Sequence, residues 1–555
     1  REVALDPEGF FEQPARFNSG ALDMKLALDP FTVTIGQVVL LDNAGTAYRG
    51  DGVIKARNDG WKLDLDFGVD QITRDRLIAL WPVGLVPPTR RWVSENVFEG
   101  VLFNVKAALR IAPDHPVRLS LVHEFRDATV QFIKSMPPVH GGFGYVTMTE
   151  KTFTMVLDKG IVDAPGGGGP VDATGTVFHV PDITQRPARA EIDLKTESTV
   201  GAMLALLDHP VFNIMSRAGQ PTDLAEGHAR MEAQIGLSLA KKVTPQDVEY
   251  SVSGVLSDLR SEKAVPNRVL EADTLNLSAD RDQISISGAA RLDGVPVQGV
   301  WSQALGPEHQ GQSRVEGTVE LSPRFVKAFG IGLPDGSVTG SGLGHGAIDL
   351  AKDTAARFEL TSDLNRVGLS LPGLGWSKPR NAQGSLQVSG SLGAPPVIDS
   401  LSISGPGLSA AGTVAIGGDG ALREARFSRV RVGDWLDAPV VLGGRGAGRP
   451  PSVAIKGGRL DLRNSPFAKG RGTGEGGPVA VALDRLIVSR AITLYDVRGV
   501  LTPEGALNGR LRGRVGNGAP VVATLVPARG GTAIHVQSDD AGGVLRGAGI
   551  FEKSR

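Results

Sequence analysis

Cysteine is absent from all 555 residues. That excludes disulfides and thiolate metal sites, although oxidising compartments also hold cysteine-free proteins. Long apolar runs are absent too. No stretch approaches the roughly 20 residues that cross a bilayer as a helix, and no secretory leader is recognisable. The chain opens on Arg1 and closes on Gly-Ile-Phe-Glu-Lys-Ser-Arg without stop-like punctuation. The expectation is a piece of a larger protein whose anchoring or targeting segment lies outside it. Aromatic residues are scarce, with four Tyr and six Trp spread without the girdles of a transmembrane barrel. That scarcity and a net charge of −1 also argue against nucleic acid, which wants stacking platforms on a basic surface.

Catalytic constellations are missing as well. The nine histidines (115, 123, 140, 179, 209, 228, 309, 345 and 535) are scattered and form no metal-ligand spacing. His123 and Glu124 are adjacent in a strand-like run, which predicts opposite faces and no shared site. Gly340–Gly346 superficially resembles a phosphate loop, but strand-like Ala347–Leu350 follows where a helix is needed, so a turn is predicted. Arg49-Gly50-Asp51 reads as a hairpin loop. Carboxylate pairs such as Asp64 and Asp66 belong to a wet face. No catalytic residue, metal site or cofactor is expected.

What the chain does have is alternation. Trp61, Leu63, Leu65, Phe67 and Val69 fall on one side of a strand, with Lys62, Asp64, Asp66 and Asp70 on the other. The same period recurs at Leu22, Met24, Leu26 and Leu28, and at Phe153, Met155 and Leu157. Further on it returns at Met231, Ile235, Leu237 and Leu239, then at Leu275 and Leu277, Ile284 and Ile286, Phe358 and Leu360, and Leu386 and Val388. Glycine (73) and proline (35) are read as punctuation between these runs, as in meandering antiparallel hairpins. No fixed repeat is present, which counts against propellers and short-period solenoids.

Helical stripes are few. Asp70 is placed to cap a helix ending before Pro82, and Pro88 suits the first turn of a second, giving a helical interlude over 70–96. Val200, Met203, Leu204 and Leu207 begin another over 198–218, broken by Pro210 and closed by Gly219. A shorter one is expected after Ser322-Pro323. These are too few to cover so much apolar sheet, so either sheet packs on sheet or the apolar face stays open to hold something. The charge is uneven. Residues 421–472 carry eleven Lys/Arg against four Asp/Glu, a net of +7. Outward arginines on a solvated sheet are the preferred reading of that stretch, over a membrane contact.

One series of short words is more specific. Ala79-Leu80-Trp81-Pro82 leads through Pro87-Pro88-Thr89-Arg90-Arg91-Trp92-Val93 to Asn96-Val97-Phe98-Glu99-Gly100. Phe132-Ile133-Lys134-Ser135-Met136-Pro137-Pro138-Val139, Gly142-Phe143-Gly144 and Lys159-Gly160-Ile161-Val162 follow. This order resembles the central region of the AsmA-like envelope proteins of Gram-negative bacteria, of the large YhdP type. The resemblance covers residues 70–305, flanked by further β-groove segments at 1–69 and 306–555. It implies a periplasmic body, held at the inner membrane by an anchor outside this segment, with phospholipids as cargo and contact at the outer membrane left open.

The expected fold is therefore mainly β. A long curled antiparallel sheet forms an open hydrophobic groove, with a few short helices. The alternating residues named above would line that groove and shelter acyl chains on their way between membranes, without enzymatic activity. The rival reading is a structural β-sandwich or solenoid scaffold without lipid cargo, its inward face filled by protein.

Overall fold

A computed structural model describes residues 3–6, 8–210, 212–240, 247–309, 311–393, 395–418, 420–446, 449–465, 476–504, 506–516, 518–528 and 531–547. Strands take up 60% of it and helices 10%, so helices cannot form a second layer over the sheet. The chain separates into two compact units, Arg1–Gly288 and Ala289–Arg555.

In the first unit, antiparallel strands follow one another in chain order. They start at Ser19–Leu28, Phe31–Leu41, Ala47–Arg57 and Gly60–Thr73, and continue to Glu226–Ser238, Glu249–Ser261 and Leu270–Ala279. Near its middle the strand Phe153–Ala164 pairs with both Gly169–Asp172 and Thr176–Val180, and Arg189–Thr199 rejoins both. The second unit repeats this meander from Val295–Ala304 to Gly531–Gln537, with one comparable split. There Ser452–Lys456 and Arg459–Asp461 run parallel to Val479–Ile487. These splits close small rings of pairing inside a ladder that otherwise runs open. Among the described residues, Ser19–Leu28 pairs on one side only, as does Gly531–Gln537.

The helices gather at one rim of the first unit. Helices α1 (Arg74–Leu80) and α2 (Pro87–Asn96) follow the strand ending at Thr73, and α3 (Val200–Leu207) and α4 (Ile214–Ala218) follow the strand ending at Thr199. The short hairpin Val3–Leu5 with Ala15–Phe17 leads into Ser19 at this same rim. In the second unit, α5 (Pro323–Ala328) leaves the strand ending at Leu321, and α6 (Ala541–Gly547) follows the last strand. A strand-terminal hydroxyl starts three of these helices. Thr73 accepts from the Arg76 amide, Thr199 from Ala202 and Ser322 from Phe325. The expected Asp70 cap is thereby corrected: Asp70 still lies in extended chain and accepts a 2.7 Å hydrogen bond from Arg49.

Glycine does more than punctuate. Arg49-Gly50-Asp51 lies inside the strand Ala47–Arg57, not in a hairpin loop, and Gly342–Gly346 belongs to the strand Gly342–Leu350, not to a turn. A Cβ on Gly317 would be driven into the carbonyl oxygen of Gln298 on the neighbouring strand, and one on Gly144 into that of Val156. Neighbouring backbones approach so closely there that only glycine fits.

Candidate functional site

Strand register assembles the alternating residues of the first unit into one continuous face. Met24 lies opposite Ile35, Leu26 opposite Val33 and Leu28 opposite Phe31. Val33 pairs with Ile54, which pairs with Leu63, while Trp61 lies opposite Ala56 and Phe67 opposite Gly50. The face continues through Leu65 to Leu109 and, further along, from Met155 to Val146 and Phe178. It then passes from Ile192 to Ile235, from Leu237 to Ala190, and from Leu277 to Gly254. Leu239, one residue past its strand, keeps the parity of Leu237. The Ser278 and Ser285 hydroxyls bond at 2.8 Å on the wet side, which puts Ile284 and Ile286 with Leu275 and Leu277 on the apolar side. A dozen or so strands at ~4.8 Å make an apolar ribbon on the order of 60 Å across.

This face is open at one rim and covered at the other. Leu22 is 58% exposed, Leu28 76% and Trp61 54%. Met24, Leu26 and Phe67 are exposed with them, and the Phe31 and Trp61 rings meet edge-on at 6.0 Å. Along Ser19–Leu28 neither side of the strand is buried, so no second layer lies over it. At the helix-bearing rim Val69 is only 3% exposed. There Ala15 and Phe17 of the N-terminal hairpin pack with Tyr48, Val69, Ile72 and Val105, and Leu77 and Leu80 of α1 close over them. Ala202 of α3 packs in the same way on Ala164 and Val171. Leu157 is enclosed by Phe125, Ala128, Val146 and Ala173, and Met231 and Leu275 are also buried by the protein. The residues expected to line a groove thus divide into an accessible set and a set already packed.

The words that carried the resemblance converge on that rim. Arg90 donates to the Trp81 and Ile78 carbonyls at 3.2 Å, and the Trp81 indole donates to the Leu85 carbonyl at 2.7 Å. The Gln131 amide donates to the Asn96 carbonyl at 2.8 Å, and the Trp92 and Phe132 rings lie 6.2 Å apart. These short motifs are the fastenings of one cover.

In the second unit Leu360 lies opposite Val388, Leu386 opposite Ile403 and Phe358 opposite Ile348, again on one face. A separate three-stranded sheet, Val338–Gly340, Val367–Leu371 and Trp376–Lys378, supplies a cover. Val367 and Leu364 pack on Leu360, Leu386 and Ile403. Lys378 anchors this cover from within, its buried ammonium donating to the Leu364 and Val367 carbonyls at 2.8 and 2.9 Å. Desolvation lowers its pKa from the ordinary lysine value. Further along, Val481, Leu483, Val497, Leu511, Val521 and Leu525 pack on one another, and the apolar face is filled by its own side chains.

The wet face carries ion pairs. Arg110 grips both oxygens of Asp66 at 2.8 and 2.9 Å. Within 421–472 four arginines have acidic partners. Arg429 binds both oxygens of Asp437 at 2.8 Å, Arg426 meets Glu424, and Arg459 and Arg463 converge on buried Asp461. The Arg463 hydrogen bonds, with those of Arg459, hold the Asp461 carboxyl well below the usual carboxylate range. Residues 447–448 and 466–472 of this stretch, and the closing segment 549–555, lie outside the described residues.

His123 and Glu124 both border a hollow of about 310 Å³ with Asn104, Phe143, Tyr145 and Asp158, while the unbroken register from Leu121 to Phe125 keeps the two in alternation along their strand. On the neighbouring strand Asn104 is left-handed, at a register break between Phe103 and Lys106. Asn104 donates to Glu124 at 3.0 Å, and burial pushes the His123 imidazole below its ordinary pKa. Among the described residues no cluster of potential metal ligands is found, and no helix is long and apolar enough to cross a membrane.

No family model matches the chain, and no curated protein or solved structure matches it.

Proposed function

We propose that this chain shelters the acyl chains of phospholipids on its open apolar face, as a segment of a passive conduit between the inner and outer membranes of a Gram-negative envelope. The observation that carries the reading is the uncovered surface of Leu22, Met24, Leu26, Leu28, Phe31 and Trp61. Folded proteins rarely leave so contiguous an apolar patch in water without a partner. Burial of each acyl methylene gains about 0.8 kcal/mol without directional chemistry. The gain is similar at successive strands, so a chain can slide along the face while its headgroup stays in water. The resemblance to AsmA-like proteins supports the same reading and would place the body in the periplasm, with an anchor beyond this segment.

The scaffold reading, without cargo, has one observation in its favour: the strands of 479–525 fill their own apolar face. Co-purified lipid separates the two. Mass spectrometry of the protein extracted from membranes in mild detergent should detect phospholipid. Leu26→Asp combined with Trp61→Asp should reduce that lipid at least tenfold while the fold persists, since both sites are exposed. Lipid retained at the parental level by the folded double variant would remove this proposal.

A further inference from the structure

The outward face of the last strands carries an array of arginines set side by side. Arg510, Arg512 and Arg514 alternate along Ala506–Val515 and point to the wet side. Register sets Arg512 directly opposite Arg498 of Thr493–Glu504. Like charges in that position repel across the strand pair. Arg514 has its own partner in Asp496, and Asp484 is engaged by the Gly458 amide at 2.7 Å. Among the described residues, no carboxylate pairs with Arg498, Arg510 or Arg512.

Two further observations narrow what would neutralise them. Tyr495 and Val500 are exposed on this same face, opposite Arg514 and Arg510. A tyrosine and an aliphatic side chain among arginines suit the boundary between headgroups and acyl chains, where amphipathic rings and cations concentrate. The terminal strand Gly531–Gln537, separated from Ala506–Val515 by Ala519–Ala528, leaves Ile534 60% and Val536 59% exposed on the apolar side of the sheet. The apolar inner face is therefore open on a strand that pairs on one side only among the described residues, two strands from the basic outer array.

We infer that the outward face of Thr493–Val515 docks on a bilayer rich in anionic phospholipid, through Arg498, Arg510 and Arg512. The inference builds on the proposed lipid conduit, because docking there would bring the exposed apolar edge to a membrane surface. A nucleic acid would also satisfy the charge. The scarcity of aromatics for stacking favours a membrane.

The test is flotation of the whole chain with vesicles of phosphatidylglycerol and phosphatidylcholine, beside vesicles of phosphatidylcholine alone. Binding is expected only to the anionic vesicles and should fall with salt. The triple variant Arg498→Gln, Arg510→Gln, Arg512→Gln should bind on the order of a hundredfold more weakly, at about fivefold per arginine. The matching triple lysine variant should retain most of the binding. Unchanged flotation of the glutamine variant overturns the inference, as does tight binding of single-stranded RNA by a chain that ignores anionic vesicles. Co-purified lipid, measured in the same samples, keeps the two readings apart. A chain that floats but carries no lipid refutes the conduit alone, whereas one that carries lipid but does not float refutes only the docking face.

Discussion

The strands Ser19–Leu28 and Val479–Ile487 obey the same alternation and meet different fates. In the first, Leu22, Met24, Leu26 and Leu28 remain in water although they share one face. In the second, Val481 and Leu483 close against Val497, Leu511, Val521 and Leu525, and Val497 is 0% exposed. A period of two decides which side chains share a face. Whether anything lies across from that face depends on how the sheet curls and on where covers attach. One region is a self-filled core; the other is the same surface without its filling.

The sharpest way to break this comparison is to place a charge in each region. Val497→Asp should cost more than about 4 kcal/mol, or prevent folding, because an unpaired carboxylate would be buried. Leu26→Asp should stay within about 1 kcal/mol, since its side chain already lies in water. Urea unfolding of both variants checks this, and equal losses would dissolve the distinction.

Next in size is Gly317→Val, which drives a side chain into the Gln298 carbonyl. A loss of about 3 kcal/mol in the same assay is expected; a neutral result would show that the backbone approach there does not exclude a side chain. Asp461→Asn should cost about 1–3 kcal/mol at neutral pH, the range for a lost charged hydrogen-bond network whose arginine partners are part-exposed. The sign with pH follows from the depressed carboxyl. Its stabilisation is fully present above about pH 4 and is lost as pH falls through the lower folded value, so parent and variant should converge in acid. The smallest change is Leu28→Ser. It should leave the unfolding midpoint nearly unmoved, within about 0.5 kcal/mol, while slightly reducing co-purified lipid.

Much of the sheet was legible in the sequence because period two is a local signal. Trp61 to Val69, Phe153 to Leu157 and Met231 to Leu239 keep their parity from strand to strand. The helices after Thr73, Thr199 and Ser322 were visible from their stripes and prolines, although the first begins later than Asp70 suggested. The glycines were misread. Gly50, Gly144 and Gly317 sit within strands, and the neighbouring backbone that excludes a side chain is not adjacent in sequence. Nor could alternation tell Val69 from Trp61, eight residues apart on one strand, since the hairpin and α1 that bury Val69 arrive from other parts of the chain.

The central claim is that the open face holds acyl chains and the filled face does not. A photo-crosslinking amino acid placed at Leu26 and, in a separate protein, at Leu525 tests it most directly in cells labelled with radioactive phosphate. The account predicts a phospholipid adduct at Leu26 and only protein-internal crosslinks at Leu525. Equal lipid labelling at both positions, or none at Leu26 in folded protein, would contradict it.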